Sequence, residues 1–221
     1  MSLRNDVKKT WNWIWNSDSF LSWIVALVVV FIFVKFIFFP ILSLIMGTSL
    51  PLAGVESSSM DHQIVRDDLG ILNICGTVLS EEDKRYIYFD EYWEYCGEWY
   101  EKKGIFQQDF SEFDLKHGFK KGDIVIVLGR FEPNIGDIII FKPNPDSIAP
   151  RPIVHRIVAI SDNKIETKGD HNQDQLVRSN NIFRTDETEI SESQVIGKVI
   201  LKIPYLGWVK IFFVELLSKF R

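Results

Sequence analysis

The chain has 221 residues, 46% of them hydrophobic and 14% aromatic, with a formal net charge of −5. That length suits one core-bearing domain plus an anchor rather than two large domains. A surface this acidic excludes a nucleic-acid partner, whose phosphates need basic side chains.

The first element in chain order is apolar. From Phe20 to Met46 the sequence holds one charge, Lys35, and one proline, Pro40. About 20 apolar residues cross a bilayer core as a helix, so the stretch predicts a permanent transmembrane anchor. Lys35 is expected to snorkel toward the far interface and Pro40 to kink the outer end. A cleaved signal sequence fits less well, because the run is long and no small-x-small site follows it. Arg4, Lys8 and Lys9 precede the span, and the next Lys or Arg after it is Arg66. The positive-inside rule then places residues 1–19 in the cytoplasm, the anchor at 20–46, and everything beyond about residue 50 outside.

Outside the cell, Cys75 and Cys96 are either one disulfide or two buried thiols, and they do not form a metal-type C-x-x-C pair. A connector leads from Met46 to three serines, Ser57 to Ser59. Even fully extended it holds Ser59 within roughly 45 Å of the bilayer surface.

Residues 80–117 form an acidic, aromatic block. Phe89, Tyr92, Trp93, Cys96, Trp99 and Tyr100 recur at three- and four-residue intervals, as on one helix face. Gly97 weakens that helix and Gly104 ends it. The reading is a helical insertion over about 70–117, packed on the main domain. Its Trp and Tyr content also suits an interfacial or partner-docking surface.

From Lys120 the pattern changes to strands. Lys121-Gly-Asp-Ile-Val-Ile-Val and Ile135-Gly-Asp-Ile-Ile-Ile-Phe are near-copies, each a Gly-Asp turn followed by a β-branched run. Residues 152–160 and 164–168 flank the turn Ser161-Asp-Asn as a hairpin, and 194–203 supply another strand. The domain over 47–203 is therefore mainly β. Residues 204–221 read as an amphipathic, membrane-associating segment, with a second short span as the alternative.

Serine becomes a nucleophile when a base removes its proton, and the base works best when a third group fixes its tautomer. The residue types are present: the serine cluster, His155 in a predicted strand, and Asp170 and Asp174 in a turn-rich stretch. Singly, each has a plain structural reading as a linker, a half-buried strand residue or a turn.

In order, they resemble the boxes of signal peptidase I. Val55-Glu-Ser-Ser-Ser-Met60 resembles its nucleophile box, in which the serine before Met attacks; on position alone Ser58 is a rival. The two Gly-Asp strands are similar to its paired strand boxes. Ile153-Val-His-Arg-Ile-Val resembles the base box of the archaeal and endoplasmic-reticulum branch, which has His where the bacterial branch has Lys. Thr167-Lys-Gly-Asp-His-Asn and Gly197-Lys-Val…Ile203-Pro-Tyr-Leu-Gly resemble that branch's later boxes.

The resemblance implies a signal-peptidase/LexA-like β fold. It also implies a membrane-bound serine endopeptidase that cuts signal peptides from exported preproteins at the outer face of the plasma membrane, beside the protein-export channel. Ser59 is then the nucleophile and His155 the general base, with Asp170 and Asp174 as supporting carboxylates. The Ser59 N–H and the Ser57 hydroxyl would hold the oxyanion. No cofactor or metal is implied. An extended substrate with small residues before the cut would pair with a strand edge.

Three departures stand out: Asp61-His62 replaces the usual acidic-Pro pair, Asp174 lies unusually near Asp170, and the insertion is large. Two rival readings come from the residues themselves. Asp61, His62, Asp170 and His171 are metal-ligand types, although no H-e-x-x-H spacing supports a zinc site. A non-catalytic membrane receptor would use the acidic aromatic block as its binding surface.

Overall fold

A computed structural model describes residues 3–67, 69–161 and 164–206. The chain divides into two units, Met1–Ile45 and Met46–Arg221. Most of the expected C-terminal segment, and two residues of the expected turn after Ser161, lie outside the described residues.

In the first unit, α1 (Leu3–Asn16) precedes the apolar run. Ser19 caps the next helix, its hydroxyl accepting from the Ser22 N–H, while Ser22 Oγ donates back to the Ser17 and Ser19 carbonyls. Helix α2 (Phe20–Phe33) continues through a π-helical turn, Val34–Phe38, into α3 (Phe39–Met46). The π turn falls just before Pro40, whose missing N–H breaks the regular ladder. Together these segments make a 27-residue helix, Phe20–Met46, long and apolar enough to cross a membrane. The Lys35 ammonium lies over the Phe31 and Phe36 rings, at 5.7 and 5.4 Å.

The second unit is mainly β. Its strands are β1 (Leu52–Gly54), β2 (Val65–Arg66), β3 (Leu72–Ile74), β4 (Thr77–Leu79), β5 (Ile124–Leu128), β6 (Ile138–Phe141), β7 (Ile153–Ser161), β8 (Lys164–Lys168), β9 (Ile190–Ser191) and β10 (Val195–Ile203). Seven form an antiparallel sheet in the order β1-β5-β10-β6-β7-β8-β9. Strand β6 has all four side chains buried. Ile138 and Ile140 enter one apolar cluster with Met60, Phe119 and Val127, while Ile139 and Phe141 enter another with Ile157 and Ile165. Alternation along the strand sends its residues to the two faces, so β6 lies inside the molecule.

The repeated Gly-Asp boxes are two copies of one turn. Gly122 and Gly136 have φ of +94° and +95°, a region L side chains avoid. The aspartate that follows each glycine accepts from a backbone N–H three residues earlier: Asp123 from Lys120 and Asp137 from Asn134. Each turn then releases the chain into a strand, β5 or β6.

The insertion differs from the wholly helical reading. Its first part carries strands β3 and β4, which join β2 in a three-stranded sheet, and helices α4 (Phe89–Lys102) and α5 (Gln107–Glu112) follow. Strands of two or three residues are too short to show a period. The aromatic face of α4 is as expected: Tyr92, Trp93, Cys96 and Tyr100 are buried with Ile74, Phe110 and Val158 of β7. Cys75 and Cys96 are disulfide-bonded, tying the small sheet to α4.

Candidate active site

Ser59 follows β1 in a short turn that is fixed on both sides. Before it, the Val55 N–H donates to the Asp123 carbonyl. After it, Met60 is 1% exposed and its carbonyl accepts from Phe119 N–H at 3.0 Å. His155 lies in β7 opposite Ile139 of β6 and is 3% exposed. The fold sets Ser59 Oγ 2.9 Å from His155 Nε2, across 96 positions of sequence. Ser57 Oγ lies 3.1 Å from Ser59 Oγ.

The other imidazole nitrogen, Nδ1, is hydrogen-bonded to Glu187 Oε1. Glu187 is completely buried and is itself held: Oε1 accepts from Thr167 Oγ1 at 2.9 Å, and Oε2 from Leu176 N–H at 2.7 Å. A carboxylate oxygen accepts, so this contact suits the tautomer with the proton on Nδ1, in which the Nε2 lone pair faces the serine hydroxyl.

Neither expected aspartate reaches His155. Adjacent residues on a strand face opposite ways, so Arg156 points away from His155 and into the insertion, where it is fully buried. A buried guanidinium needs a counter-charge, and Asp170 supplies it, accepting from Arg156 Nη2 at 2.7 Å and Nε at 3.0 Å. Asp170 also accepts from His62 Nε2 at 2.9 Å and from the Tyr100 hydroxyl at 3.0 Å. Burial alone would raise its carboxyl, but Arg156 and His62 outweigh it and hold the group well below the usual carboxylate range. Asp174 is exposed and accepts from Trp99 Nε1 at 2.8 Å.

Of the four candidate zinc ligands, His62 pairs with Asp170 and stacks on Tyr92, while His171 Nδ1 meets the Asp61 carbonyl. Among the described residues no three His, Cys, Asp or Glu side chains group as a metal site would.

Gly169 closes the centre. A Cβ there would lie 2.7 Å from His155 Nε2 and 2.8 Å from the Ser59 carbonyl oxygen, so only glycine fits between them. Ser59 and His155 line a groove of about 790 Å³. One wall runs from Leu52 to Glu56 and the other from Arg151 to His155, with Ile182 and Phe183 at the rim. Glu56 and Arg151 form an ion pair between the two walls. The lining is largely apolar, suited to an extended chain with uncharged side chains.

Sequence reading missed Glu187. It lies in a loop holding five acidic residues, Asp170, Asp174, Asp186, Glu187 and Glu189, and no spacing singles one out. The only cue was the need for a carboxylate behind His155.

A serine hydroxyl on an imidazole backed by a buried carboxylate is the geometry of the Ser-His-acid hydrolases. The chain is similar to signal peptidase complex catalytic subunits. It is 31% identical over 108 residues to SEC11 of Colletotrichum graminicola and 30% identical over 108 residues to SEC11 of Pyricularia oryzae. The Neurospora crassa subunit is 28% identical over the same length. Each match covers 46% of this chain, and the chain spans 59% of the length of these relatives. No family model matches the chain.

Proposed function

We propose that the chain is a membrane-anchored serine endopeptidase that removes N-terminal signal peptides from exported preproteins. The observation that carries this reading is the 2.9 Å contact between Ser59 Oγ and His155 Nε2 beside an apolar groove. The curated relatives, all named as catalytic subunits of a signal peptidase complex, support the substrate class.

Ser59 attacks the scissile carbonyl as His155 Nε2 takes its proton. Glu187 keeps the imidazole in the required tautomer and stabilises the imidazolium. The Ser59 N–H and the Ser57 hydroxyl hold the oxyanion. His155 then protonates the leaving amine, and water, deprotonated by the same imidazole, releases the signal peptide from Ser59. Asp170 fixes the frame through Arg156, and Asp174 has no part in the chemistry. The signal peptide lies extended between the walls, pairing with the edge of β1. The Phe20–Met46 helix anchors the enzyme in the plasma membrane with its N-terminus cytoplasmic and its catalytic unit outside, where preproteins leave the export channel.

The test is cleavage of a precursor by the full chain in liposomes. Ser59→Ala and His155→Ala are expected to abolish cleavage while the fold is kept. Glu187→Gln, which leaves the shape but permits the wrong tautomer, should lower kcat by about 10²- to 10⁴-fold with little change in KM. Full activity in Ser59→Ala would remove the reading.

A further inference from the structure

Residues 169–171 form a bracket with the reacting pair on one side and the insertion on the other. On the inner side, His171 N–H donates to the Ser59 carbonyl at 2.9 Å, and Asp170 N–H approaches Met60 Sδ at 3.4 Å. Asp170 also clamps Arg156, the residue that follows His155 on β7.

On the outer side, the insertion meets the same three residues. The Tyr92 hydroxyl donates to the Asp170 carbonyl at 2.9 Å, and the Tyr100 hydroxyl to Asp170 Oδ1 at 3.0 Å. Cys75 N–H donates to the His171 carbonyl at 3.1 Å, and its sulfur lies 3.4 Å from the Asp170 carbonyl oxygen. Both tyrosines are fully buried on α4, and the Cys75–Cys96 bond joins α4 to the small sheet that carries Cys75. Burial pushes both phenols well above their ordinary pKa, so they remain donors.

We propose that the insertion sets the contact between Ser59 and His155. Tyr92 and Tyr100 are positioning residues acting through the 169–171 bracket, and the disulfide holds them in place. The proposal rests on reading Ser59 and His155 as the reacting pair and adds a role for the insertion, which that reading leaves without one. A displacement of about 1 Å at a reacting centre costs up to about a hundredfold in rate, so hydroxyls outside the groove can govern kcat.

The experiment uses the full chain in detergent micelles, labelled with ¹⁵N-histidine. Four histidines give a spectrum simple enough to assign. Tyr92→Phe/Tyr100→Phe removes both hydroxyls and keeps both rings, and the single Tyr100→Phe serves if the double variant does not fold. A moved His155 Nε2 resonance is expected, with kcat on a precursor peptide lowered about tenfold to a hundredfold and KM within about twofold. Cys75→Ser/Cys96→Ser is expected to move the same resonance in the same direction. Folded Tyr variants with an unmoved His155 resonance and unchanged kcat would overturn the proposal, even if their melting temperature falls. If the unaltered chain cleaves no precursor while the Tyr variants move the resonance, the peptidase reading falls and the positioning role stands.

Discussion

The Asp61 carboxyl is 7% exposed, and burial pushes its pKa up to about 6, against partial opposition from the Gln63 N–H, Lys120 and Lys202. The sign follows from proton counting. Between about pH 4 and pH 6 the folded chain holds a proton there that the unfolded chain has lost, so stability falls as pH rises through that window. Asp61→Asn keeps an oxygen for the Gln63 N–H and removes the charge. It should leave stability nearly unchanged at pH 4 and raise it at pH 7, by on the order of 3 kcal/mol. Denaturation midpoints at the two pH values check this, and an equal gain at both would refute the cause. At this scale the sequence was uneven. Ser59 and His155 were legible because each sits in a short box whose neighbours, Met60 and Arg156, have structural duties of their own. The carboxylate behind His155 was not, because Glu187 is fixed by Thr167 and Leu176 N–H, contacts that only the folded chain brings about.

Among the elements, β5 and β6 were readable because each begins with a Gly-Asp turn that punctuates the chain. The difference between two positive-φ glycines tests that view. Gly104, φ +79°, ends α4 with nothing near its missing Cβ, whereas a Cβ at Gly136 would strike the Phe113 ring. Gly104→Ala should therefore cost about 1 kcal/mol, the backbone penalty alone. Gly136→Ala should cost clearly more, through displacement of Phe113 and of the turn entering β6. Equal losses in unfolding free energy would contradict this account. The short strands β2 to β4 escaped notice because they carry too few residues for alternation to register. The disulfide stayed open because spacing alone does not decide between a bond and two buried thiols. Only the folded insertion places Cys75 against α4.

For the molecule as a whole, the boundary between greasy helix and polar domain was plain from composition, and the division into Met1–Ile45 and Met46–Arg221 falls at the end of that helix. The second unit contains its whole sheet, its disulfide and every residue of the site. A chain starting at Met46 should therefore fold and hydrolyse short peptides at a rate similar to the full chain, while cleavage of liposome-embedded precursors drops sharply. Loss of short-peptide hydrolysis in a folded Met46 chain would show that the helix contributes to the site. The site also has a history written into its order of synthesis. Its hydroxyl is made at position 59, its imidazole at 155 and the carboxylate behind it at 187. A polypeptide emerging from the ribosome thus carries the Ser59 hydroxyl long before the imidazole and carboxylate that would act on it. If the proposed peptidase reading holds, no cutting centre exists before residue 187 is made, and the growing chain is expected to stay harmless to its neighbours until then.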